Sequence, residues 1–129
     1  MEINSLTYTV IGCAYKVHSV LGPGFLEKVY ENALVHALQK SGLRVKQQHP
    51  IRVIFDGTVV GEFCADLLVE ERVLVELKAA SMLVNEHTAQ ALNYLRATGL
   101  EVCLLINFGR PKVEIKRLLP NASWQTTTS

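Results

Sequence analysis

From Ser5 onward, Leu6, Val10, Cys13, Val17 and Leu21 recur every three or four residues, the spacing of an amphipathic helix with one buried stripe. Gly22-Pro23-Gly24 ends that pattern. A second helical rhythm starts at Phe25 and runs through Val29, Ala33, Ala37 and Leu38 to Ser41-Gly42, where glycine suits the left-handed residue that closes a helix. The rhythm then shortens to four runs of strand character, Leu43–Gln47, Ile51–Phe55, Val59–Val69 and Val73–Leu77, with Asp56-Gly57 as a hairpin turn. These predict an antiparallel meander. Helical spacing returns over Asn85–Thr98, with Ala91, Leu92 and Leu95 apolar and Gly99 closing the helix. Two last strands, Glu101–Phe108 and Val113–Leu118, flank Gly109-Arg110-Pro111. The order ααββββαββ predicts an α/β domain whose mixed β-sheet is flanked by helices.

Composition narrows this picture. At 129 residues, about half of them apolar, the chain is long enough for one domain with a real core, expected over residues 1–120 with a polar tail at 121–129 in which Trp124 alone can anchor. Basic and acidic residues number 13 and 12, so overall charge offers no reason for a nucleic-acid or membrane partner, and any anion must be held locally. Cys13, Cys64 and Cys103 are odd in number and lie inside apolar segments, which fits buried reduced thiols in a cytosolic protein better than a disulfide framework or a zinc site. Glu2, Asn4 and Ser5 precede any apolar periodicity, and no apolar run approaches the ~20 residues of a membrane span. A cytoplasmic protein is expected, in which the glycosylation-like Asn121-Ala122-Ser123 has no meaning.

One strand carries unexpected chemistry. In Val73–Ala80, VLVELKAA, the apolar run is interrupted by Glu76 and Lys78, two residues apart and so on one face. The preceding run, EFCADLLVEE, is interrupted by Asp66. An odd-length loop at Glu70-Glu71-Arg72 would set Asp66 opposite Glu76, whereas a two-residue turn would send the two acids to opposite faces. Opposed carboxylates ~5 Å apart repel by about 3 kcal/mol at an effective dielectric of 20, a cost that a cation between them removes. Two carboxylates, a backbone carbonyl and waters make a hard oxygen site suited to Mg2+ or Mn2+. Lys78 on the same face could orient a metal-bound water or neutralise a phosphate, which are the parts for phosphodiester hydrolysis. The same residues read equally as the solvated face of a half-exposed strand, with Asp66 a strand-end charge.

Asp66, nine intervening residues and Glu76-Leu77-Lys78 resemble the motif of the PD-(D/E)xK nuclease superfamily, with Ala65 where the motif has proline. GFLEKVY, Gly24 to Tyr30, resembles the GxxExxY motif that names a small prokaryotic family of that superfamily, and it follows VHSVLGPG as in the family. AQALNYL, Ala89 to Leu95, resembles the QxxxY element of the exonuclease-like branch, and LLINFG, Leu104 to Gly109, the family's penultimate strand. The similarity runs from about Leu6 to about Leu118.

The resemblance implies a restriction-endonuclease-like core and a magnesium- or manganese-dependent nuclease. It implies Asp66 and Glu76 as metal ligands with the Leu77 carbonyl as a third, Glu27 reaching the metal directly or through water, Lys78 as the catalytic lysine, and Gln90 supporting the site. Tyr30 and Tyr94 are expected to support it as well, although a tyrosine among apolar neighbours is usually core with a satisfied hydroxyl. His18 could contact a phosphate, but a helix C-terminus favours histidine without any ligand. His87, one turn before Gln90, could face the site, while His36 and His49 lack ligand-spaced partners. Gly22 and Gly24 make no phosphate loop and are expected to form the bend that swings Glu27 toward the sheet. The expected partner is nucleic acid, DNA ahead of RNA. A homodimer would give so small a domain more surface to grip a duplex. The near-neutral charge keeps two alternatives open: a silent binding module on the nuclease fold, and a hydrolase of small phosphorylated molecules.

Overall fold

The computed structural model describes residues 1–126, so the end of the expected tail, 127–129, lies outside the described residues. Helix α1 (Ile3–Leu21) buries Leu6, Val10, Cys13, Ala14 and Val17 along one stripe. It starts at Glu2, whose carboxylate accepts the N–H groups of Asn4 and Ser5. The chain then bends through Gly22 at φ 68° and Gly24 at φ 116°, backbone that a side chain would strain. Tyr30 ties the bend: its buried hydroxyl donates to the Gly22 carbonyl and accepts from the Phe25 N–H. Helix α2 (Glu27–Lys40) therefore begins two residues later than the periodicity predicts, because Phe25 belongs to the bend and Leu26 is extended.

Five strands follow, one fewer than expected. The two runs predicted at Leu43–Gln47 and Ile51–Phe55 are a single strand, β1 (Val45–Phe55). Pro50 is accommodated because β1 is at the sheet edge, where a missing donor harms no ladder on its outer side. A turn at Asp56-Gly57 leads into β2 (Thr58–Val69), and the loop Glu70-Glu71-Arg72 into β3 (Val73–Lys78). Helix α3 (Asn85–Thr98) crosses over to β4 (Val102–Asn107), and β5 (Glu114–Leu118) ends the sheet. The sheet order is β1-β2-β3-β4-β5, with β3 and β4 parallel and all other pairs antiparallel. None of the described helices is long and apolar enough to cross a membrane.

The sheet is covered on both faces. Leu67, Val69, Val75, Leu77, Leu104 and Ile106 pack under α1 and α2, while Leu68, Leu74 and Cys103 pack under α3. Cys13 and Cys103 are buried as expected, but Cys64 is exposed on β2. Trp124, in a short 3-10 turn (Ala122–Thr126), closes the α3 side, with the Arg96 guanidinium over its ring. Alternation along β1 and β2 is broken once. Ala65 lies on the α3 side although Leu67 faces α1 and α2, and Ile51 and Val45 differ in the same way. Residues of equal parity change face across Asp66 in β2 and across Gln48 in β1, and Gln48 is left-handed at φ 52°.

Beyond Lys78 the chain is clamped. Fully buried Asn107 uses all four hydrogen-bonding positions of its amide. Its oxygen accepts from the Ala80 and Gly109 N–H groups, and its nitrogen donates to the Ala80 carbonyl and the Glu114 carboxylate. Phe108 donates its N–H to the Lys78 carbonyl at 2.8 Å. Gly109 lies so close that a Cβ there would stand 2.3 Å from the Ala80 carbonyl oxygen. Gly109→Ala is expected to cost about 2 kcal/mol or more, seen as a fall in the denaturant midpoint. An unchanged midpoint would mean that the two segments are not locked together.

Candidate active site

The odd-length loop after β2 has the consequence expected of it. Val69 pairs with Val73, Leu68 with Leu74 and Leu67 with Val75, and one further step sets Asp66 opposite Glu76. There the β2–β3 ladder stops and side chains take over. The Asp66 N–H donates to Glu76 Oε2 at 2.8 Å, and the Leu77 N–H donates to Asp66 Oδ2 at 2.7 Å. Each strand thus bonds a backbone donor of the other through a carboxylate. On its other side β3 stays fully paired, Glu76 with Leu105 and Lys78 with Asn107, so Glu76 and Lys78 ride on a rigid strand.

Both acids are held against their charge. Glu76 is only 4% exposed. Burial, then the Asp66 charge, push its pKa up to about 8, the Glu27 charge adding a little, against the opposing pull of the Asp66 N–H bond and Lys78. Asp66 is also raised, first by burial and then by the Glu31 charge, against the Leu77 N–H, Gln48 and Lys78. Lys78 Nζ donates to Gln90 Oε1 at 3.5 Å, which brings the lysine and the first residue of the QxxxY element together. Tyr94, one turn along α3, is buried against Phe63 with ring centroids 5.6 Å apart. Burial and then the Glu76 and Asp66 charges raise its hydroxyl pKa.

Of the remaining expected residues, Glu27 is near enough for its charge to act on Glu76, while Tyr30, His18 and His87 make their contacts elsewhere. Glu27 is exposed at the start of α2, and among the described residues no three His, Cys, Asp or Glu side chains gather in a metal-holding group. The buried Glu76 and half-buried Asp66 carboxylates plus water oxygens still match the way Mg2+ is held by one or two carboxylates with most of its water retained. The donor set therefore fits a hard divalent cation at Asp66 and Glu76. Tyr30 is fully buried, stacked on Phe108 at 4.7 Å, and acts on the bend before Glu27 rather than in the site. His18 bonds the Arg110 carbonyl at 2.8 Å and ties α1 to the loop after β4. His87 accepts the Val84 N–H at the start of α3.

Sequence reasoning missed Glu31 and Gln48. Glu31 is 4% exposed on α2 and accepts from Lys28 Nζ, Gln47 Nε2 and Gln48 Nε2. Its one signal was its place four residues after Glu27, on the same helical face. Beside Gln90 and Tyr94 opens a groove of about 810 Å³, walled also by Arg52, Phe63 and Arg96.

The sequence matches the description PD-(D/E)XK nuclease superfamily over residues 4–118. The chain belongs to that superfamily. No curated protein matches it. Among solved structures it is similar to one titled "Crystal structure of SSO0001", at 14% identity and a TM-score of 0.58, covering 78% of this chain and 53% of that one. It is also similar to an alkaline exonuclease (LHK-Exo) from Laribacter hongkongensis, at 14% identity and a TM-score of 0.55, covering 74% of this chain and 57% of that one. Both likenesses show the fold, and the chain spans little more than half the length of either structure.

The electrostatics of the pair set a pH dependence. Glu76 binds its proton more tightly in the folded chain, at about 8, than in the unfolded one, near 4.5. The folded state therefore holds more protons between those values, so this contribution to stability is complete below about pH 4.5 and is lost as pH rises toward about 8. Asp66 acts in the same direction. In chelator, the wild-type unfolding free energy is expected to fall across this window by about 1.4 kcal/mol per pH unit where the slope is full, and the unfolding temperature with it. Glu76→Gln should flatten the curve, and parallel curves for the two proteins would contradict the assignment.

Proposed function

We propose that this chain is a divalent-metal-dependent nuclease of the GxxExxY type, hydrolysing phosphodiester bonds of nucleic acid, DNA ahead of RNA, with an activated water. The observation that carries this reading is the exchange between Asp66 and Glu76. It holds a buried and a half-buried carboxylate side by side, with Lys78 and two N–H bonds only partly offsetting their repulsion. Asp66 and Glu76 would hold Mg2+ or Mn2+, with the Leu77 carbonyl as a further oxygen and exposed Glu27 acting through water. When bound, such a cation lowers the pKa of a water and draws charge from the scissile phosphate.

The protein's own groups do the rest. Gln90 holds the Lys78 ammonium on the face that carries Glu76, where it can meet the charge that develops on the phosphate oxygens. Tyr94 and Phe63 wall the site and exclude water on the α3 side. The adjoining groove, with Arg52 and Arg96 on its walls, would receive the strand leaving the site. The alkaline exonuclease among the fold's neighbours supports a polymer substrate. A second reading keeps the metal and drops the cleavage, as a binding module, and is favoured by the near balance of 13 basic and 12 acidic residues.

Labelled single- and double-stranded DNA and RNA, incubated with Mg2+ or Mn2+, separate these readings. Wild type is expected to cleave, and Lys78→Ala and Glu76→Ala to lose at least about 100-fold in rate while keeping native circular dichroism. Magnesium should raise the unfolding temperature of wild type and not of Glu76→Ala. Equal cleavage by either variant would overturn the site. Magnesium stabilisation without cleavage of any polymer would favour the binding module.

A further inference from the structure

Consecutive strand residues point to opposite faces, yet Gln47 and Gln48 both bond the same carboxylate. Gln47 Nε2 lies 2.8 Å from Glu31 Oε2, and Gln48 Nε2 lies 3.2 Å and 3.3 Å from the two Glu31 oxygens. The left-handed backbone at Gln48, φ 52°, is what turns the second amide toward the first. Positive φ is uncommon for a residue of this type, and a strained position persists only where its surroundings hold it. Here the holder is Glu31, buried and fixed further by Lys28 at 3.1 Å.

Gln48 also faces Asp66. The β1–β2 ladder pairs Gln47 with Leu67 and His49 with Ala65, and skips the pair between them. In that gap the Gln48 amide donates to Asp66 Oδ1 at 3.4 Å, while Oδ2 takes the Leu77 N–H from the opposite strand. The carboxylate is therefore gripped from both neighbouring strands, one oxygen each. Its terminal torsion is otherwise broad and weakly defined.

We propose that Gln48, oriented by Glu31, is a positioning residue for Asp66 that sets the plane in which this carboxylate meets a divalent cation. The proposal rests on the metal-site reading above. It assigns a role to the distortion of β1: the unusual backbone and the face change serve to bring one amide between a buried helix carboxylate and the ligand. Neighbours of this kind change metal affinity by about 10- to 100-fold when removed.

The test is calorimetric titration of Mn2+ into the full chain, comparing wild type with Gln48→Gly, Gln48→Met and Asp66→Ala. Glycine suits the left-handed backbone and deletes the amide, while methionine keeps the length without a donor. Both Gln48 variants are expected to unfold cooperatively and to bind Mn2+ at least about tenfold more weakly than wild type, with Asp66→Ala binding none. A purely structural role would lower the unfolding temperature in chelator and leave the affinity alone. Wild-type affinity in either Gln48 variant, with Asp66→Ala silent, overturns the proposal and leaves the metal site standing. Absence of binding by wild type, or undiminished binding by Asp66→Ala, overturns the metal site and the proposal with it.

Discussion

Two backbone N–H groups in the middle of the sheet, those of Asp66 and Leu77, are bonded by carboxylates where a neighbouring strand would ordinarily supply carbonyls. Left unpaired and buried, each would cost about 1 to 3 kcal/mol, so the two acids are part of the sheet's own hydrogen bonding. The same placement buries like charges side by side. Moving the carboxylates apart would forfeit the N–H bonds, and keeping them together maintains the burial and, after it, the repulsion that lift Glu76 to about 8. Such a pair can lower its energy by holding a proton or by holding a cation, and only the cation leaves both acids ionised.

The topology explains why this happens at one point. β3 is joined to β4 through the α3 crossover, which lays Gln90 and Tyr94 over the sheet face that bears Glu76 and Lys78. Helix α2 covers the other face and carries Glu31. A flat sheet would keep these two sets of side chains apart. The change of face at Gln48 and Asp66 lets groups from both layers converge where β2 leaves β3. The Asn107 clamp then fixes the segment after Lys78, so the lysine extends from a strand anchored at both ends.

Much of this was legible in the sequence because it is local. The periods of α1 and α3, the Asp56-Gly57 turn, and the odd-length loop that pairs Asp66 with Glu76 all follow from neighbours a few residues apart. The errors share a cause. His49-Pro50 read as a break because proline and polar residues interrupt strand alternation, but an edge position tolerates both, and β1 runs through. Glu31 went unremarked, since nothing near it in sequence announces that Gln47 and Gln48 will meet it. Asn107 lies unmarked inside the run predicted at Glu101–Phe108, and its partners at Ala80 and Glu114 come from a separate loop and strand. Residues whose roles depend on the twist of the sheet leave no periodic trace.

The balance of charge, 13 basic residues against 12 acidic, weighs differently once the site is in view. A phosphate approaching the metal-free pair would meet Asp66, Glu76 and the nearby Glu27 and Glu31 with Lys78 as the adjacent cation, a repulsive place for an anion. On the proposed reading, a divalent ion reverses that local sign and supplies two positive charges where the chain as a whole supplies about one. Attraction for the substrate would then be concentrated at the reacting phosphate, with Arg52 and Arg96 along the adjoining groove as the near supplements. On that reading a nearly neutral protein would need its cation to bind the polymer as well as to cut it, and so the composition that favours a silent module is also what a metal-gated nuclease would have.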